Sequence, residues 1–145
     1  MLSAAHIVAH ARTLLGVPYM HQGHTRAGVD CGGFIRCLMV ETGMAGPDPA
    51  QWPGAHRFAG YGRQPDGHSF IAGCDAYLDR IDDVRLSAVV ALRFGGHPQH
   101  AGLIGDHGGG FTLIHALHGS GVVEHRLSPE WRSSIVATYA FRGIA

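Results

Sequence analysis

Gly28-Val29-Asp30-Cys31-Gly32-Gly33-Phe34-Ile35 joins a polar loop to an apolar helix, and its reading decides the fold. Asp is a favoured N-cap residue because its carboxylate accepts from the free N–H groups of a first helical turn. Phe34, Ile35, Leu38 and Met39 recur at helical spacing and Gly43 is a natural stop, which predicts a helix from about Cys31 to Gly43. Cys31 then sits in the first turn, where unpaired N–H groups and the positive end of the helix dipole favour an anion. A thiol so placed is expected to ionise below the free value of about 8.5. Gly32 and Gly33 weaken the helix but leave room for a substrate backbone beside the sulfur. The pattern suits a nucleophile. Taken alone, a buried free cysteine behind a tight turn is the simpler reading, and the rest of the chain has to decide.

Upstream, Ser3 is suited to cap a first helix that carries Ile7, Ala11, Leu14 and Leu15 on one face and ends at Gly16. Pro18 pushes Val17 out of the helical region, so residues 17–20 are extended, and 21–29 read as a polar loop. Downstream, residues 43–67 are rich in Pro and Gly, with Trp52 and Tyr61 as possible anchors. Ser69 is expected to cap a third helix running to about Arg80. From Ala88 the apolar period changes to two. Strands are predicted over 88–94, 100–105, 111–116, 121–125 and 135–141, with a turn at 106–110 and one helical turn over 128–133. Helices followed by an antiparallel meander make an α+β domain. Its 145 residues imply one domain spanning 1–145.

Composition removes several classes. Acidic and basic residues balance at 11 each, and every basic residue is Arg. The absence of Lys excludes Schiff-base and P-loop lysine chemistry, and the neutral balance gives no basic field for nucleic acid. Three cysteines without a CxxC pair indicate neither a disulfide framework nor a zinc ribbon, so Cys37 and Cys74 read as small core residues. No apolar run reaches the roughly 18 residues of a membrane span. The first 16 residues lack the basic start and apolar core of a signal peptide, so synthesis in the cytosol without a standard export signal is expected.

A cysteine nucleophile needs a base, and the base needs a partner to hold its ring. His100 opens a predicted strand and His115 lies near the end of its neighbour. Cross-strand side chains sit about 4.5–5.5 Å apart at Cβ, so both rings can share a sheet face. His97 is a rival base. The remaining histidines, His125 among them, read as surface or loop residues. Twelve histidines also invite a zinc site built with Cys31, since thiolate and imidazole suit that metal.

Four blocks in order then carry a resemblance: Leu15-Gly16-Val17-Pro18-Tyr19, Val29-Asp30-Cys31-Gly32-Gly33-Phe34, His100-Ala101-Gly102-Leu103-Ile104 and Ile114-His115-Ala116. Together they resemble the NlpC-type cell-wall cysteine peptidases, over about Ile7 to Phe141. Val122-Val123-Glu124, Trp131-Arg132 and Tyr139-Ala140-Phe141-Arg142 are similar to the branch encoded with phage tails and gene transfer agents. The resemblance implies a papain-like α+β fold, with N-terminal helices packed on a C-terminal antiparallel sheet. It implies hydrolysis of peptidoglycan stem peptides, typically between D-γ-glutamyl and diaminopimelate residues, with no metal or cofactor.

Carried across, Cys31 is the nucleophile, His100 the base and later acid, and His115 the orienting third member. Tyr19 matches the family's tyrosine facing the cysteine, where its hydroxyl helps bind the oxyanion together with the Cys31 N–H. Asp30 matches the acidic residue before the cysteine, which contacts the substrate's free amine or simply caps the helix. Gly32 stands where the commoner pattern has Ser, a departure that bears on a substrate contact and leaves the thiol chemistry alone. His21-Gln22-Gly23 replaces the usual aromatic-Gly-Gly. The likeness also implies assembly into a phage-like tail, with hub or baseplate partners, and action in the periplasm or cell wall. The alternatives are an amidase cutting the muramoyl–alanine bond, and a silent structural part of a tail.

Overall fold

The structure, a computed structural model, describes residues 2–44, 73–94 and 97–144, without the side chains of 94 and 97–99. Most of the 43–67 loop, with Trp52 and Tyr61, and the Ser69 cap lie outside the described residues.

Helix α1 spans Ala4–Arg12, and Ser3 caps it by accepting from the His6 N–H at 3.2 Å. A short hairpin, β1 (His24–Thr25) with β2 (Gly28–Val29), forms inside the segment expected to be only loop. Helix α2 spans Cys31–Glu41. Its N-cap Asp30 accepts from the Gly33 N–H at 2.7 Å, and Gly43 follows its end with φ of 77°. Both helices bury an apolar stripe: Ile7, Val8 and Ala11 from α1, and Phe34, Ile35, Leu38 and Met39 from α2.

Six further strands form one antiparallel sheet: β3 (Asp79–Ile81), β4 (Val89–Phe94), β5 (His97–His107), β6 (Gly110–Leu117), β7 (Gly121–Arg126) and β8 (Ile135–Ala140). Their order is β3-β8-β4-β5-β6-β7. The meander of β4 to β7 is the one expected. Helix α3 (Pro129–Ser133, capped by Ser128) then returns the chain to the opposite edge, so β8 lies against β4 and not beside β7. The helix expected to run from Ser69 to about Arg80 ends earlier than expected. Residues 73–77 are helical, but Asp79, Arg80 and Ile81 pair with Ala140, Tyr139 and Thr138 as β3. The ladder offered by β8 overrides the local helical preference.

Alternation along the strands divides the core. Val89, Ala91, Ala101, Leu103, Ile114 and Ala116 face α1 and α2. Ala88, Val90, Leu92, Ile104, Leu113 and Leu127 form a second cluster on the other face, with Trp131 of α3 and Ile135 packed against it. The bidentate Arg12–Glu124 pair, at 3.0 and 2.8 Å, ties α1 to β7, and Glu124 also accepts from Thr112 Oγ1 at 2.7 Å. Among the described residues, no helix is long and apolar enough to cross a membrane.

Candidate active site

Strands β5 and β6 pair from His107↔Gly110 only as far as Leu103↔Ile114. Beyond that point β5 continues along β4 and β6 along β7, so the two strands part. The start of α2 meets the sheet at this split. The Ile104 N–H of β5 donates to the carbonyl of Ala88, just ahead of β4, at 2.8 Å. By alternation, the Ala101 N–H points the other way, toward the split. It bonds there to the Cys31 sulfur. The thiol therefore lies one peptide unit from His100, although α2 packs on one face of the sheet and His100 projects from the other.

His100 and His115 are brought together. His100 Nε2 and His115 Nδ1 are 2.7 Å apart, and the residues are 4% and 0% exposed. His125, expected at the surface, proves to extend this pair. His115 Nε2 and His125 Nε2 are also 2.7 Å apart, and His125 Nδ1 lies 2.9 Å from the Arg126 carbonyl. The three rings run diagonally across β5, β6 and β7 on one face. Trp131 covers them, with ring centroids 6.4, 4.9 and 5.4 Å from His100, His115 and His125. A period-two reading of 121–125 after the Gly119–Gly121 turn could have put His125 on the His115 face. The Trp131 cover could not be read locally, because it arrives on α3.

Tyr19 joins Val29 through a parallel bridge and packs edge-on against His118, ring centroids 5.3 Å apart. Asp30 is 2% exposed, with Oδ1 accepting from the Gly33 N–H and Oδ2 from the Gln22 N–H at 2.9 Å. Burial raises its pKa against the pull of those two bonds. Gly32 lines an apolar cleft with Ile35, Arg36, Met39, Cys74, Tyr77 and Ala101. Cys74, read from sequence as core, packs against the core cluster and also forms a wall of that cleft. Gly33 is not free for substrate, because the Gly23 carbonyl occupies the space where its Cβ would stand. Side-chain placement of His97 lies outside the described residues.

The expected acidic thiol is not found. Burial pushes Cys31 up to about 12, and the neighbouring Asp30 charge adds to the rise. The N–H groups of Ala101, Gly32 and Cys31 itself oppose it without prevailing. Burial lowers His100 to about 4. It also lowers His115 to about 3, with the adjoining His100 and His125 rings adding to the fall. The pair therefore rests as thiol and neutral imidazole, and the sulfur acquires charge only as its proton leaves.

Two imidazoles held neutral make stability depend on pH. In the unfolded chain a His takes up its proton near pH 6.5. In the fold these two resist until about 4 and about 3. Below pH 6.5 the unfolded state binds more protons, so stability falls with falling pH, by up to about 1.4 kcal/mol per pH unit for each ring. The thermal unfolding midpoint should drop steadily from pH 6.5 to 5, before most carboxylates titrate. A flat profile over that window would remove the two rings from the buried face.

Among the described residues, no group of three or more His, Cys, Asp or Glu side chains is arranged to hold a metal ion. The three imidazoles bond to one another in a line and do not converge on a point.

No protein-family model matches the chain, and no curated protein matches it. Solved structures do. The NlpC/p60 domain of the peptidoglycan hydrolase SagA is 22% identical, with a TM-score of 0.59 over 96% of this chain and 99% of that one. The fold is that of the NlpC/p60 domains. An NlpC/p60 family protein from Bacillus cereus is 15% identical, with a TM-score of 0.63 over 96% of this chain and 40% of that one. A protein similar to lipoprotein, of the NLP/P60 family, from Staphylococcus aureus is also 15% identical, with a TM-score of 0.56 over 98% and 41%. This chain thus spans the whole of one NlpC/p60 domain and about two fifths of the two longer proteins. The papain-like α+β architecture expected from the four sequence blocks is the one observed.

Proposed function

We propose that the chain is a cysteine peptidase that hydrolyses amide bonds in peptidoglycan stem peptides. The observation that carries this reading is the placement of the Cys31 thiol, at the start of α2, on the N–H next to the hydrogen-bonded His100–His115 pair. The same architecture is found in SagA, a peptidoglycan hydrolase.

In this reading His100 takes the thiol proton as sulfur attacks the amide carbonyl. The Cys31 N–H and the Tyr19 hydroxyl receive the oxyanion. His100 then protonates the leaving amine, and water activated by the same ring releases the acyl group from sulfur. His115 holds the His100 ring. Asp30 fixes the turn of chain that aims the thiol, and Gly32 keeps the cleft floor open for the substrate backbone. The preferred bond is D-γ-glutamyl–diaminopimelate, and the setting is a phage-like tail that delivers the domain to the wall. Both finer assignments rest on sequence likeness to the tail-associated branch.

Mass spectrometry of muropeptides digested by the purified protein tests the reaction. Disaccharide dipeptides with free γ-carboxyl ends are expected, together with peptides beginning at diaminopimelate. Release of whole stem peptides from muramic acid would identify an amidase instead. An unchanged digest would refute the hydrolase reading. Copurification with tail or baseplate proteins tests the setting, and persistent absence from particles would count against it.

A further inference from the structure

We infer that His125 is a positioning residue of the same site, the outer member of a three-imidazole relay whose polarity is set by the Arg126 carbonyl. The inference rests on the peptidase reading only for its catalytic consequence; the relay itself belongs to the free protein.

The argument follows the hydrogens inward. A carbonyl oxygen only accepts, so the His125 Nδ1 within 2.9 Å of Arg126 O must carry a proton. A neutral His125 then has a bare Nε2. His115 Nε2, 2.7 Å away, has to donate to it. Being neutral as well, His115 has a bare Nδ1, which accepts from His100 Nε2 at 2.7 Å. His100 is left with its proton on Nε2 and a lone pair on Nδ1, the form that can take a proton from a thiol. One backbone carbonyl on β7 thereby selects the tautomer of a base two strands away. His115 alone would not do so, since an imidazole with no outer partner bonds equally well in either tautomer.

The chain of bonds also gives the departing proton a path. When the Cys31 S–H bond breaks and an N–H bond forms at His100 Nδ1, His100 releases its Nε2 proton to His115 Nδ1. His115 in turn releases its Nε2 proton to His125 Nε2. The positive charge then rests on the half-buried outer ring, and the two buried rings remain neutral. Reversal of the two ring-to-ring transfers restores the Nε2 proton of His100, which then gives its Nδ1 proton to the leaving amine.

The test substitutes position 125, which is on an edge strand, and reads the rings directly. In the wild type, nitrogen-15 NMR of the imidazoles should show single tautomers: Nε2–H for His100 and His115, and Nδ1–H for His125. His125→Phe should leave His100 and His115 as tautomer mixtures, and should lower kcat about 10- to 100-fold with KM little changed. His125→Gln, whose amide oxygen can accept from His115 Nε2 but cannot take up the relayed proton, should restore the single tautomers and raise kcat above that of the Phe variant without reaching the wild-type value. A wild-type Nδ1–H signal for His100, or unchanged tautomers in the Phe variant, would overturn the relay whether or not the protein hydrolyses peptidoglycan. Full kcat in the Phe variant with altered tautomers would overturn its catalytic part. A protein with the expected tautomers and no hydrolase activity would instead indict the proposed function.

Discussion

Cys31→Ala should abolish stem-peptide cleavage, lowering kcat/KM by roughly 10⁴-fold or more, while the fold is retained. Alanine keeps the first turn of α2 and its Asp30 cap, and removes only the sulfur. His100→Ala should lose nearly as much, because nucleophile and base act as one unit and their losses do not add. The resting state makes that coupling strong. A thiol pushed up to about 12 is ionised at pH 7 at a cost of roughly 7 kcal/mol. The sulfur therefore attacks only as its proton leaves, and His100 is the base placed beside it to take that proton. His115→Ala should cost less, since His100 keeps its ring and loses only its orientation. The readout is the fragment pattern of digested muropeptides. Equal digestion by wild type and Cys31→Ala would remove the thiol from the mechanism. An iodoacetamide reaction with Cys31 that is already at its plateau near pH 7 would show a preformed thiolate, and would contradict the burial argument.

Much of this site was legible in the sequence because its signals are local. Asp30 before an apolar period of 3.6 announces a capped helix and fixes Cys31 in the first turn. His100 and His115 lie on alternating strands flanking a Gly-rich turn, so a shared face follows from the period of two. What escaped the sequence depends on distant chain. The ionisation of the thiol is not legible in the sequence, because the helix dipole is a local property, whereas desolvation of the sulfur comes from the rest of the fold. Strand β3 has no apolar alternation in Asp79-Arg80-Ile81, and exists because β8 offers it an edge. A period of two could put His125 on the His115 face, but which of twelve histidines meets that ring depends on the register of β7 against β6. Sequence logic also placed both histidines on one face without showing that α2 packs on the other. The parting of β5 and β6 is what lets the thiol reach the intervening N–H, and no motif encodes it.

Gly33→Ala sets two local rules against each other, and packing should win. Helix propensity alone favours the substitution by about 1 kcal/mol, because Ala is the better helix former. The added methyl would stand 1.7 Å from the Gly23 carbonyl oxygen and 2.9 Å from Asp30 Oδ1. Neither neighbour can yield cheaply. Gly23 O accepts from the Asp30 N–H at 3.2 Å, and the space behind Gly23 is already taken by the Gly28 carbonyl, 2.4 Å from where a Cβ on Gly23 would lie. Asp30 is held by the Gly33 and Gln22 N–H groups. Relief therefore requires the 21–30 loop to move off α2, with loss of the cap and of the Gly23–Asp30 bond. The expected net loss is about 3–5 kcal/mol, which lowers the unfolding midpoint by on the order of 10 °C. Activity should fall further than stability, because the loop that moves carries the residues next to Cys31. A Gly33→Ala protein with a raised midpoint would mean that the loop does not press on the helix, and that the aim of the thiol is fixed by something other than the Gly23–Asp30–Gly33 contact.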